Sequence, residues 1–277
     1  MRKKYMYRVL LALVMIGFFL FEKYYDANAS AVSEKNSNNE FIIDSGDILS
    51  SERFRDFLPS TTTNTIIHHN FYSLSYNEGH EQSEWVAYEL KKEHLTNDDR
   101  KRPYFEMDPE VGTGSAHWQN FKNSGYDRGH LCPAGDRRFS IAAYEETFLT
   151  SNISPQNHQF NSGVWNRLEQ QVRYWAEKHD NLLVITGAVL PDGLATIGSE
   201  KVSVPEQFYK IVFKQSAVGY EVITFLIPHE ASEAPLDTFI VPVDTLESLT
   251  GIDFFYRLKD EVEFKLESEL KKQPWFD

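Results

Sequence analysis

An α+β domain built on a largely antiparallel sheet is the fold this sequence predicts. Three observations predict it. Alternating apolar residues mark strands that lie close together in the chain. An apolar period of three to four residues marks helices. The two kinds of segment are mixed without the regular strand–helix–strand rhythm of a parallel sheet. Phe71 to Tyr76 alternates and predicts a strand, and Glu84 to Leu90 predicts its hairpin partner across a loop at Asn77-Glu78-Gly79. Residues 97–123 carry Pro103, Pro109, Gly112 and Gly114 and read mainly as loop. Ala142 to Leu149 predicts a short helix. From Asn161 to Lys178, Val164, Leu168, Val172 and Trp175 recur at helical spacing. Leu182 to Val189 is a buried-strand run closed by the turn Pro191-Asp192-Gly193. Gln207 to Lys214 and Tyr220 to Ile227 predict two more strands joined around Gly219. Thr245 to Leu249 and Val262 to Lys271 predict helices, with Gly251 stopping the first.

The chain has 277 residues, 41% apolar and 25% charged, which excludes a long disordered chain and a multi-span membrane protein. Its one cysteine, Cys132, excludes an intrachain disulfide framework and a Cys-rich zinc finger. Three segments divide it. Residues 1–29 begin with Arg2, Lys3, Lys4 and Arg8, continue with an apolar run from Val9 to Phe21, and end in Ala27-Asn28-Ala29. This is the layout of a secretory signal, with an uncleaved anchor as the alternative. Either way the folded part is expected outside the cytoplasm, secreted, periplasmic or tethered to the outer face of the membrane through residues 5–21. Residues 30–60 are rich in Ser, Asn and Glu and read as a polar lead-in. Residues 61–277 have the texture of one domain.

A net charge of −13 argues against a broad basic face for nucleic acid, but the acidity is unevenly placed. Residues 101–138 carry six Lys or Arg against five acids. Residues 229–277 carry twelve acids against five Lys or Arg, a local charge of −7.

Side chains able to do chemistry cluster between Arg102 and Glu169. Tyr126-Asp127-Arg128-Gly129-His130 gathers an acid, a guanidinium and an imidazole around a glycine, which lets the backbone bend or approach a ligand. Read alone, these residues fit a surface loop with a local salt bridge equally well. A second stretch, Ser151-Asn152-Ile153-Ser154-Pro155-Gln156-Asn157, reads as a constrained loop entering a helix, with Asn161, Trp165 and Glu169 following. Asn161 suits either a helix cap or an oxygen ligand for a hard cation. On an unbroken helix Glu169 lies about 80° round from it, close enough for both to edge one site. Trp165 reads as core. His117 and His158 lie near these motifs; His68, His69, His80, His179 and His229 read as surface or core. Phe208, Tyr209 and Lys210 suggest either base stacking or an amphipathic strand.

The two motifs YDRGHLCPAGD and SNISPQNHQFNSGVWNRLE, in that order, resemble the DNA/RNA non-specific endonucleases, a family that includes secreted bacterial nucleases and mitochondrial endonuclease G. The resemblance runs from about Phe71 to Tyr256. It implies the ββα-metal, or His-Me finger, fold and cleavage of DNA and RNA with little sequence specificity, leaving 5′-phosphate ends. It implies His130 as general base, Arg128 on phosphate, Asn161 as ligand of a single Mg²⁺ (Mn²⁺ being the alternative), and Glu169 near the metal's water shell. Arg102, in KRPYFEMDP, is the best match to a second phosphate-binding arginine. Asn152 is implied to support the site and Asp127 to orient its loop, while Cys132 reads as packing. A non-catalytic binding module on the same fold is the alternative function. No stable protein partner is implied, and monomer and homodimer both remain open.

Overall fold

The computed structural model describes residues 54–277, other than 217, 218, 271, 274 and 277. The apolar run, the cleavage site and the tether lie outside the described residues. Among the described residues no helix is long and apolar enough to cross a membrane. The polar lead-in ends earlier than Ser60. Phe54 to Phe57 form a 3₁₀ turn, and Phe54, Phe57 and Leu58 are buried in the core, Phe57 against Phe213. Two aromatics in an otherwise polar stretch anchor it.

The centre of the fold is a six-stranded sheet. Its strands are β1 (Ile66–His68), β2 (Ser73–Asn77), β3 (Gln82–Leu90), β6 (Leu182–Ala188), β9 (Gln207–Ser216) and β10 (Gly219–Pro228), and they lie side by side in that order. Every neighbouring pair is antiparallel. The hairpin β2–β3 forms as the alternation predicts, and the continuous apolar run at Leu182 forms the buried strand β6. β1 was not legible, because three residues are too few for a pattern.

Helices cover both faces of the sheet, which is why its central strands are apolar on both sides. On one face Val86, Tyr88, Val184, Phe208 and Val212 pack under Leu168, Val172, Trp175 and Ala176 of the helix Asn166–His179. On the other face Trp85, Ile185, Ile211 and Phe213 meet Val243, Leu246 and Leu266, from the helices Val243–Thr250 and Asp260–Ser268. With Ile141–Glu146 as α1, these three helices are α2, α3 and α4 in chain order. Gly251 ends α3 in the left-handed conformation, φ 70°, as predicted. Trp175 is fully buried, and truncating such a side chain to alanine costs about 3–5 kcal/mol.

Two short ribbons complete the sheet structure: β4 (Asp127–His130) with β5 (Ile153–Gln156), and β7 (Thr196–Ile197) with β8 (Val202–Ser203). The first overturns the reading of both motifs as loops. Each of its strands has four residues, one interrupted by Gly129 and the other by Pro155, so neither shows alternation. Pro155 lacks an N–H and is tolerated in so short a ribbon. A small apolar cluster of Ala116, Phe121, Ile153, Ile197, Val202 and Val204 seats this ribbon, with Phe105 and Tyr126 packed on it.

Candidate active site

Strand period places Arg128 and His130 of β4 on one side of the ribbon, and Asp127 on the other. On the first side the Phe105 ring collects three groups. The Arg128 guanidinium lies 5.2 Å from its centroid and the Arg102 guanidinium 5.5 Å, while the His130 ring centroid is 5.7 Å away. Phe148 closes the cluster, 5.0 Å from His130 edge to face and 5.6 Å from the Arg102 guanidinium. Arg102 is therefore brought to the motif across more than twenty residues of loop.

The electrostatics are one-sided. Among the described residues neither Arg102 nor Arg128 forms a salt bridge with a carboxylate. The Nε of Arg128 and the Nε2 of His130 are enclosed without a hydrogen-bond partner. Burial, and then the positive Arg102, push the imidazole down to about 3, so it is neutral at neutral pH; a phosphate anion between the two guanidiniums would oppose that shift and favour protonation. Burial and Arg102 also lower Arg128 from its ordinary value. Two cations held together without a counter-charge form a receptor for an anion.

On the other side of the ribbon, Asp127 Oδ2 accepts from Asn161 Nδ2 at 3.0 Å and lies 2.9 Å from His158 Nδ1. A carboxylate only accepts, so it holds the amide with its nitrogen inward and leaves the Oδ1 carbonyl free. That carbonyl is a hard oxygen donor, the type a Mg²⁺ or Mn²⁺ ion takes, so the residue fits the implied metal. Asn161 is not the helix cap. Asn157 takes that role, its side chain accepting from the N–H groups of Gln159 and Phe160. Asn161 instead opens a wide π-type turn, Asn161–Trp165, in which Gly163 leaves helical geometry (φ −98°, ψ −110°). Such turns recur at functional sites.

The same turn undoes the angular argument for Glu169, which assumed an unbroken helix. Glu169 lies against Arg173, one turn further along α2, at 3.3 Å. Arg173 also grips Asp136 at 2.5 Å, over Gly135, where a Cβ would stand 2.8 Å from the guanidinium. Burial pushes the Glu169 carboxyl up to about 7, with Arg173 and Lys210 opposing. Lys210 is fully buried, donates to Thr186 Oγ1 at 2.5 Å and lies 4.9 Å over Trp165. The contacts thus join Glu169 to a buried ionic group rather than directly to His130 or Asn161. Phe208, Tyr209 and Lys210 are all fully buried, which excludes base stacking by them.

Asn152 rivets the ribbon. Its Oδ1 accepts from the Cys132 N–H at 2.8 Å, and its Nδ2 donates to the carbonyls of Cys132 and Thr147. Cys132 is fully buried, and burial pushes its thiol up to about 12, as suits a packing role. Gly129 makes room for a neighbouring side chain. A Cβ there would stand 2.1 Å from the Gln156 side chain, which lies across the strand.

Three participants were not singled out from the sequence. Arg173 carried a signal, its four-residue spacing from Glu169 on a helix. His158 was placed only near the motif. His229, which receives the Asn157 N–H at 2.6 Å and steadies the helix entrance, lies 72 residues away in sequence and carried none. A cavity of about 500 Å³, bordered by His69, Glu89, Arg137 and Phe139, is lined by none of the candidate site residues.

Known proteins are similar to this chain in sequence and fold. The model of the DNA/RNA non-specific endonuclease family matches residues 49–261. Mouse mitochondrial nuclease EXOG is 35% identical over 225 residues, 75% of this chain and 60% of the relative. Human mitochondrial endonuclease G is 34% identical over 198 residues, 66% of this chain and 67% of the relative. A nuclease of Nostoc is 32% identical over 226 residues, 76% of this chain and 80% of the relative. A chain in the crystal structure of the EndoG/EndoGI complex superposes with a TM-score of 0.66 at 30% identity, covering 71% of this chain and 88% of that one. The chain spans about 60% of the length of the mouse EXOG relative.

Proposed function

Because the chain belongs to the DNA/RNA non-specific endonucleases and has their ββα-metal fold, we propose that it hydrolyses phosphodiester bonds of DNA and RNA with His130 as general base. The observation that carries this reading is the convergence of Arg102, Arg128 and a neutral, enclosed imidazole on one phenylalanine ring.

A phosphodiester is negative and repels hydroxide, so the site must make a nucleophile and absorb added charge. His130 accepts the proton of the attacking water. Arg102 and Arg128 donate to the equatorial phosphate oxygens, where negative charge grows as the fifth bond forms. Asp127 fixes the Asn161 amide so that its carbonyl is ready for a divalent cation, Mg²⁺ or Mn²⁺. When bound, that ion supplies positive charge against the phosphate and the leaving oxygen. Glu169, held by Arg173, would take a supporting role toward the waters that such an ion would carry. Contacts confined to phosphate leave the base sequence unread, and 5′-phosphate ends follow if the 3′ oxygen leaves. Residues 1–29 are proposed to export the chain or to hold it at the outer face of the membrane.

Plasmid digestion with and without EDTA, for the wild type and His130→Ala, tests the reading. Metal-dependent nicking that the substitution removes is expected. Undiminished cutting by the variant would overturn the assignment of the base.

A further inference from the structure

The acidity of the C-terminal part is not used by the site above, and it is concentrated in one place. Asp244 and Glu247 of α3, Asp253 of the following loop, and Glu263 and Glu267 of α4 bring their carboxylates together beside the second core. One oxygen each from Asp244, Glu247 and Glu267 lie within 4.8 Å of one another, and so do oxygens from Asp253, Glu263 and Glu267. Glu267 is common to both sets.

We propose that these five carboxylates form a calcium site that cross-links α3, the loop after it and α4. Glu267 carries the argument. Its residue is only 6% exposed, yet its Oε1 is sealed from solvent without any hydrogen-bond partner. It also sits in the last turn of α4, where the helix end is itself negative and disfavours an acid. None of the five acids forms a salt bridge among the described residues. The Phe254 N–H, donating to Glu247 Oε1 at 2.9 Å, holds one acid in place. A carboxylate with one buried, unpartnered oxygen among four like charges is suited to a cation. The spacing selects its class. Oxygens sharing one Ca²⁺ at 2.3–2.6 Å are at most about 5 Å apart, a limit each set of three meets and which Glu267 carries from one set to the other; Ca²⁺ takes six to eight oxygens, whereas Mg²⁺ keeps several waters. Burial, and then Glu247, Glu263, Asp253 and Asp244, push the Glu267 carboxyl up to about 8, as expected for an acid set among acids.

The test uses the whole chain, stripped with chelator and titrated with CaCl₂ by calorimetry and by thermal melting. One Ca²⁺ is expected to bind, raising the melting midpoint by about 5–10 °C at roughly 100-fold excess over Kd. Mg²⁺ at the same concentration is expected to raise it less. Glu267→Gln and Glu263→Gln should each abolish the calcium shift without lowering the midpoint in chelator, because they remove repulsion. Asn161→Ala, at the separate candidate metal residue, should keep the shift. An equal shift in Glu267→Gln, or its loss in Asn161→Ala, would overturn the proposal. So would the absence of binding heat, or a midpoint that responds to acidification but not to Ca²⁺, which would mean that the acids share a proton instead.

Discussion

The two faces of the sheet carry opposite electrostatic problems. On one, Arg102 and Arg128 stand together and, among the described residues, form no salt bridge with a carboxylate. On the other, Asp244, Glu247, Asp253, Glu263 and Glu267 stand together and, among the described residues, form no salt bridge with a Lys or Arg. Folding alone gains nothing from either arrangement, since like charges at short range repel. The difference in sign therefore reads as a difference in ligand, an anionic phosphate on one face and a divalent cation on the other. The net charge of −13 is a poor guide to the candidate active site, since about half of it, −7, lies in residues 229–277.

The comparison breaks most decisively at His130. Replacing it with alanine should lower plasmid nicking by about 10²–10⁴-fold while near-UV circular dichroism stays unchanged. Next in size, Arg102→Ala and Arg128→Ala should each cost about 10²–10³-fold in turnover. The double substitution should cost less than the product of the two, since both guanidiniums share the Phe105 ring; full additivity in a double-mutant cycle would separate them. A smaller effect is expected of Asp127→Ala. With its amide released, Asn161 should need about 10–100-fold more Mg²⁺ for half-maximal activity, and excess metal should restore the rate.

The smallest effects sharpen the comparison through pH. His130 is held well below its ordinary 6.5, at about 3, so the unfolded chain binds its proton first. Its contribution to stability is full above about 6.5 and is lost as pH falls through 3. Glu267 is raised from 4.5 to about 8, so the folded state binds its proton first. Its contribution is full below 4.5 and is lost as pH rises through 8. Urea melts across pH 4 to 9 should show His130→Ala flattening the acid slope and Glu267→Gln flattening the alkaline one, each leaving the other intact.

Much of the frame was legible because local chemistry and global fold agree. Gly251 stops α3 since only a residue tolerant of the left-handed region ends a helix there, and Val164, Leu168, Val172 and Trp175 gave the buried face of α2. The ribbon β4–β5 was not legible. Its pairing is set by the apolar seat under Ile153 and by Asn152, both tertiary. The candidate site divides in the same way. Arg128, His130 and Asn161 stand in a recognisable order, whereas the grip of Arg173 on Asp136 depends on how α2 lies over the sheet. The wide turn at Gly163 also makes helical phase arithmetic fail across it.

The nesting of Gln156 over Gly129 has a consequence for descent. A lineage cannot enlarge position 129 while Gln156 keeps its place, because the first new atom would fall inside the amide. The two positions are coupled although 27 residues separate them, and an alanine at the first should be accompanied by a moved or shorter side chain at the second. The third residue of the Asp-Arg-Gly-His string then has a reason in its neighbour across the ribbon.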